Sequence, residues 1–196
     1  MPEGRLRAWT VVIPVKPPHL GKSRLDLPGI DRVELARAIA LDTIEAAAEV
    51  ARVVVVTADP TIGAPGVEVV HEPEPRGIAA AVTDGLAAAP HGRRAVLLGD
   101  LPGLRPDDLA LALELAEDTR LGAVPDEERQ GTTLVTAREG DLPAAFGPGS
   151  WQRHREAGFV ELPVPVSSTM RRDVDRADHL VGVLGPRTTA VLRRVV

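Results

Sequence analysis

Residues 9–24 read WTVVIPVKPPHLGKSR, an apolar run that stops at a lysine and passes into a proline- and glycine-broken stretch carrying more cations. A β-branched run with no polar alternation predicts a strand covered on both faces, as in a mainly parallel sheet with helices on either side. Pro17, Pro18 and Gly21 end the strand and open a loop that holds Lys16, Lys22, Ser23 and Arg24. Loops at the carboxyl ends of buried strands are where open α/β sheets bind their ligands.

Outward from this stretch, Val53–Thr57 and Ala95–Gly99 repeat the fully apolar pattern, and Val67–Val70, Gly122–Val124 and Thr132–Ala137 are further strand candidates. Helices fill gaps between these strands. Asp31 can cap one that runs through Val50, Ile78–Ala89 forms a second, and Pro106 begins a third reaching about Asp118, with Asp107 and Asp108 at its positive end. Beyond them come a hairpin around Asp126–Gly131, a short helix at Ser150–Ala157, an edge strand over Val160–Val166 and closing helices after Asp175. The expectation is one α/β domain, Rossmann-like, with a mixed and mainly parallel sheet flanked by helices. Within it, a nucleotide half of about 8–125 precedes a substrate half of about 126–196.

At 196 residues, with 44% hydrophobic and 26% charged residues, the chain suits a single globular domain with a sizeable core. Cysteine is absent, so any metal is expected on carboxylates or histidines and to be hard. The formal charge of −5 gives no global support for binding nucleic acid or an anionic membrane. Apolar runs fall far short of the roughly 18–20 residues of a membrane span. Arg5 and Arg7 precede a strand rather than a signal peptide, which makes the cytoplasm the expected location. Monomer and homodimer both stay open.

The chemistry-bearing residues sit at strand ends. Both lysines of the chain, Lys16 and Lys22, fall in the first loop beside Arg24, where point charges, a guanidinium fork and backbone amides can wrap a triphosphate. A solvated basic turn is the alternative. The spacing is neither a Walker loop nor GxGxxG. Asp100 follows Ala95–Gly99 at the mouth of the sheet, a position that also suits capping of the next turn. Asp173 and Asp175 flank one residue and would point to the same side of an extended segment, a spacing that suits a divalent cation, although either could cap a helix. Together these parts suit metal-assisted transfer of a nucleotidyl group.

With GTT at Gly131–Thr133 and FGPGSWQRHREAG at Phe146–Gly158, these segments resemble the guanylyltransferase family that activates phosphoenolpyruvate or 2-phospho-L-lactate in making the deazaflavin coenzyme F-420. The likeness covers nearly the whole chain. It implies a GT-A-like nucleotidyltransferase fold shared with molybdenum-cofactor guanylyltransferases. It also implies magnesium as cofactor and transfer of GMP from GTP, releasing pyrophosphate. By that resemblance Lys16, Lys22 and Arg24 bind the nucleotide phosphates. Asp100, Asp173 and Asp175 hold metal; Lys22, Arg24 and Asp100 are the catalytic set; Thr132, Gly147 and Ser150 seat the acceptor. A hydroxyl, a glycine that permits close backbone approach and a serine at a helix start form a reasonable anion seat, and Ser150 can also serve as a plain N-cap. The likeness to Arg/Ala-rich bacterial members favours phosphoenolpyruvate, giving enolpyruvoyl-2-diphospho-5'-guanosine. The alternatives are 2-phospho-L-lactate as acceptor and a nucleotide-binding regulator without catalysis.

Two departures from the family pattern stand out: Ile78 and Ala79 replace a common Leu-Asn, and Gly149 stands where an acidic residue is frequent. A metal-dependent glycosyltransferase would use the same Asp-x-Asp but needs a larger sugar-binding portion. A hydrolase or dehydrogenase lacks its GxSxG or GxGxxG, and His154, set between Arg153 and Arg155, is expected on a solvated face.

Overall fold

The computed structural model describes residues 8–17, 25 and 27–195. Its strands are β1 (Trp9–Val15), β2 (Arg52–Thr57), β3 (Glu68–His71), β4 (Arg93–Leu97), β5 (Leu121–Pro125), β6 (Thr132–Ala137) and β7 (Val160–Glu161). The α-helices are α1 (Arg32–Val50), α2 (Ile78–Ala88), α3 (Pro106–Leu115), α4 (Ser150–Glu156) and α5 (Pro186–Leu192), with short 3-10 turns between the later elements. The strands form one seven-stranded sheet in the order β3-β2-β1-β4-β6-β5-β7. The first four run parallel, β6 is antiparallel to β4 and to β5, and β7 is parallel to β5.

The central strands show why their sequences are continuously apolar. Val11, Ile13, Val53, Val55, Ala95 and Leu97 enter a core beneath α1 and α3. Val12, Val54, Val56 and Val96 enter a second core on the opposite face with Ala81 and Val82 of α2 and Trp151 of α4. Successive side chains therefore leave water in both directions, so a polar alternation would bury a polar group on one face. Trp9, fully buried at the start of β1, finds a partner for its indole N–H in the Glu117 carboxylate at 2.8 Å.

Helix α1 begins as its sequence predicts: the Asp31 carboxylate accepts from the Val33 and Glu34 amides at 2.8 and 3.4 Å. Two of its buried residues are polar, and each ties down another part of the chain. Asp42 accepts from the Arg187 and Thr188 amides at 3.0 and 2.8 Å, capping α5 from the side. Thr43 donates to the Ile39 carbonyl at 3.0 Å and accepts from the Leu101 amide at 3.1 Å, which fixes the loop leaving β4.

Two strands differ from the sequence expectation by two residues or more at a boundary. The fourth strand lies at Arg93–Leu97 rather than Ala95–Gly99, because Arg93 and Arg94 extend the ladder with Trp9 and Thr10. The edge strand expected over Val160–Val166 is confined to Val160–Glu161, since Pro163 and Pro165 have no amide proton to donate to a ladder. Among the described residues no helix is long and apolar enough to cross a membrane.

The topology opens a place for a ligand at the carboxyl ends of the parallel strands. From β1 the chain steps outward to β2 and β3, then returns through α2 to β4 on the other side of β1. Loops leaving β1 and β4 therefore part in opposite directions, and a crevice opens at their carboxyl ends.

Candidate active site

Lys16 leaves β1 and Asp100 leaves β4 at the mouth of this crevice, a cleft of about 600 Å³. Thr132, Gly147, Ser150, Asp173 and Asp175 line the same cleft, so residues from both halves of the sequence meet there. Lys22 and Arg24 lie outside the described residues.

Asp173 and Asp175 arrive from a segment with no regular secondary structure, which is anchored at Val174. The Val174 amide donates to the Asp100 carbonyl at 2.9 Å. The Val174 side chain is buried in a third apolar cluster with Leu35, Ile39 and Val191. With the residue between them anchored on the core, Asp173 and Asp175 bring their carboxylates to that of Asp100. One oxygen from each of the three lies within 4.8 Å of the others. The ring of His179 braces the segment, its Nδ1 lying 3.3 Å from the Asp173 carbonyl and 3.4 Å from the Asp175 amide.

The other side of the cleft is built by the β5–β6 hairpin and the turn before α4. The Asp126 carboxylate accepts from the Gln130 and Gly131 amides at 2.9 and 2.6 Å and closes the hairpin. A Cβ on Gly131 would stand 2.5 Å from that carboxylate, so a side chain there would displace the group that closes the hairpin. The pairing slips between Val124 and Pro125, which sets Thr132 opposite Pro125. In the turn, Gly147 and Gly149 have φ of 117° and 69°, the left-handed region that side-chain-bearing residues disfavour. Ser150 is the first helical residue of α4 and is buried; Gly149 holds the capping position, so the N-cap reading of Ser150 does not apply.

Arg153 and His154 secure this turn from within α4. The Arg153 guanidinium donates to the Ala145 carbonyl at 3.0 and 3.3 Å and to the Pro148 carbonyl at 2.6 Å. His154 corrects the expectation of a solvated residue: it is fully buried, edge-on to Phe146 and Phe159 with ring centroids 5.4 and 5.1 Å away. Its Nε2 accepts from the Ala145 amide at 2.8 Å, and its Nδ1 lies 2.9 Å from Thr132 Oγ1. Burial first, and the Arg153 charge second, push its pKa down to about 4. The only sequence signal for this role was the clustering of Phe146, Trp151 and Phe159 around the histidine.

Residues 34–164 match the MobA-like NTP transferase domain family. The chain is 42% identical to the phosphoenolpyruvate guanylyltransferase of Sanguibacter keddieii over 240 residues, covering 95% of this chain and 84% of that protein. This chain belongs to the phosphoenolpyruvate guanylyltransferase family.

Solved structures agree on the fold of this guanylyltransferase-family chain. The Rv0371c homolog from Mycobacterium sp. strain JC1 superposes with a TM-score of 0.60 at 17% identity, over 95% of this chain and 98% of that one. Rv0371c from Mycobacterium tuberculosis H37Rv, crystallised as a complex with manganese, gives 0.55 at 20% identity, over 87% and 94%. Enzymes of this nucleotidyltransferase family use a divalent metal, and the donor set here fits one. Asp100, Asp173 and Asp175 would offer a cation one carboxylate oxygen each, an all-oxygen, anionic donor set within a single ion's reach.

Proposed function

We propose that this chain is a cytoplasmic, magnesium-dependent guanylyltransferase that joins GMP from GTP to phosphoenolpyruvate, in the formation of coenzyme F-420. One observation carries this reading beyond family membership: the three-aspartate cluster and the Thr132, Gly147 and Ser150 seat share one cleft at the switch point of the sheet. In this reading 8–125 supplies the nucleotide half of the domain and 126–196 the acceptor half.

An ionised phosphate oxygen of phosphoenolpyruvate attacks the α-phosphorus of GTP. The bond from that phosphorus to the bridging oxygen breaks, and pyrophosphate leaves with its electron pair. The acceptor is already an anion, so no protein base has to remove a proton, and the difficulty is repulsion between two polyanions. Magnesium held by Asp100, Asp173 and Asp175 would supply compensating positive charge there. Lys16 brings an ammonium group to the same cleft, and Lys22 and Arg24 are proposed to act on the triphosphate with it. Thr132, Ser150 and the backbone at Gly147 orient the acceptor, which turns a two-substrate encounter into a positioned attack.

Pyrophosphate release tests this reading. Purified protein is incubated with GTP and magnesium, in parallel with phosphoenolpyruvate, 2-phospho-L-lactate or no acceptor, with ATP as the nucleotide control. Release that requires GTP and phosphoenolpyruvate is the expected result. Release with 2-phospho-L-lactate alone would reassign the acceptor, and silence from folded protein with every acceptor would overturn the reaction.

A further inference from the structure

Buried between two phenylalanine edges, His154 makes one hydrogen bond whose direction is fixed. The Ala145 amide can only donate, so the Nε2 it reaches at 2.8 Å carries a lone pair and no proton. A neutral imidazole then has its proton on Nδ1, which faces Thr132 Oγ1 at 2.9 Å. The threonine oxygen is thereby the acceptor in this pair, and its own hydrogen is turned away from the histidine. Thr132 lines the cleft, and among the described residues its Oγ1 is hydrogen-bonded only to His154, which leaves that hydrogen without an acceptor there.

We propose that His154 is a positioning residue for the acceptor: by donating to Thr132 Oγ1 it commits the threonine hydroxyl to donate its own proton to an anionic oxygen of the bound acceptor. This rests on the acceptor seat proposed above. The same imidazole grips the Ala145 amide and Arg153 grips the Ala145 and Pro148 carbonyls, so the turn carrying Gly147 is held in register with the oriented hydroxyl. A rotating hydroxyl can present either a proton or a lone pair; one locked as a donor favours a phosphate or carboxylate oxygen and disfavours a ligand that itself donates. The device lets a neutral residue discriminate for an anion without adding a charge to the cleft.

The test uses Thr132→Val, Thr132→Ser, His154→Phe and His154→Asn, with KM measured separately for phosphoenolpyruvate and GTP and folding checked by thermal unfolding. Asparagine can place an amide N–H near the position of Nδ1 and so keep the donation to Thr132. Loss of one oriented hydrogen bond to an anion is expected to raise KM for phosphoenolpyruvate about 10-fold in Thr132→Val and His154→Phe, with KM for GTP unchanged. The double variant is expected to be no worse than either single one, and Thr132→Ser and His154→Asn are expected to restore most of the affinity. An unchanged KM for phosphoenolpyruvate in folded His154→Phe would overturn the proposal. The ¹⁵N spectrum of the His154 ring in the ligand-free wild type gives an answer that needs neither turnover nor a variant: a proton on Nδ1 is expected, and a proton on Nε2 overturns the proposal. Absence of wild-type transfer to phosphoenolpyruvate would instead count against the functional reading, while the spectrum still decides the direction of the hydrogen bond.

Discussion

The Val174 amide donates to the Asp100 carbonyl at 2.9 Å, and through that bond a loop late in the chain is laid against the end of β4. Its consequence is a cluster of three carboxylates drawn from two places separated by more than a third of the sequence. Bringing anions together raises their mutual repulsion, so the fold must hold them by other means. It does so with this backbone bond, the buried Val174 side chain and the bracing ring of His179.

Replacing any of these carboxylates with its amide removes charge while nearly preserving shape. Asp100→Asn is expected to lower kcat by about 100-fold or more, corresponding to several kcal/mol of lost charge compensation at the transferring phosphorus. Thermal unfolding should stay near that of the wild type. Near-normal turnover in folded protein would remove Asp100 from the metal site.

Thr43 is expected to matter for both stability and activity although it lies outside the cleft-lining set. In Thr43→Val the Leu101 amide loses the acceptor it has at 3.1 Å in a buried setting, a cost of about 1–3 kcal/mol. Because Leu101 adjoins Asp100, kcat should fall along with the unfolding temperature. Thr43→Ser, which keeps the hydroxyl, should recover most of both.

Asp42 provides the contrast. Asp42→Ala removes the carboxylate that accepts from the Arg187 and Thr188 amides, and loss of such a helix cap costs about 1–2 kcal/mol. The unfolding midpoint should drop in a chemical-denaturation experiment while KM for both substrates is unchanged, since α5 contributes no residue to the cleft.

Acid sensitivity follows from His154. Its folded pKa of about 4 lies below the ordinary value of 6.5, so the unfolded chain binds the additional proton between these limits. Stability from this group is complete above about pH 6.5, declines as the pH falls and is lost below about pH 4, a total on the order of 3 kcal/mol. Replacing the histidine with a residue that does not titrate, as in His154→Asn, should flatten this part of the curve of unfolding free energy against pH. An equally steep decline in that variant would assign the acid sensitivity to other groups.

Much of the fold was legible in the sequence because strand and helix patterns are local. The two-faced apolar runs at 9–15 and 53–57 could only suit a strand packed on both sides, and Asp31 marked the start of α1 through a side chain acting on amides two and three residues away. The prolines at 163 and 165 already carried the reason the edge strand is short, although Val160, Val164 and Val166 favour an extended run around them. Asp42 and Thr43 broke the apolar stripe of α1, a sign of buried polar partners, but those partners lie far away in sequence and no local pattern names them.

The sequence by itself determined the layered sheet, the strand-end positions of Lys16 and Asp100, and through motif resemblance the residues proposed for the metal and acceptor. Only the tertiary structure decided that Asp173 and Asp175 face Asp100, that Gly149 rather than Ser150 caps α4, and that His154 is buried against Thr132. The physical reason is range. Apolar periodicity and capping are set by neighbours a few residues apart, whereas burial and hydrogen-bond direction depend on which distant segments close over a side chain. An arginine-flanked histidine reads as solvated until Phe146 and Phe159 close over its ring and remove it from water.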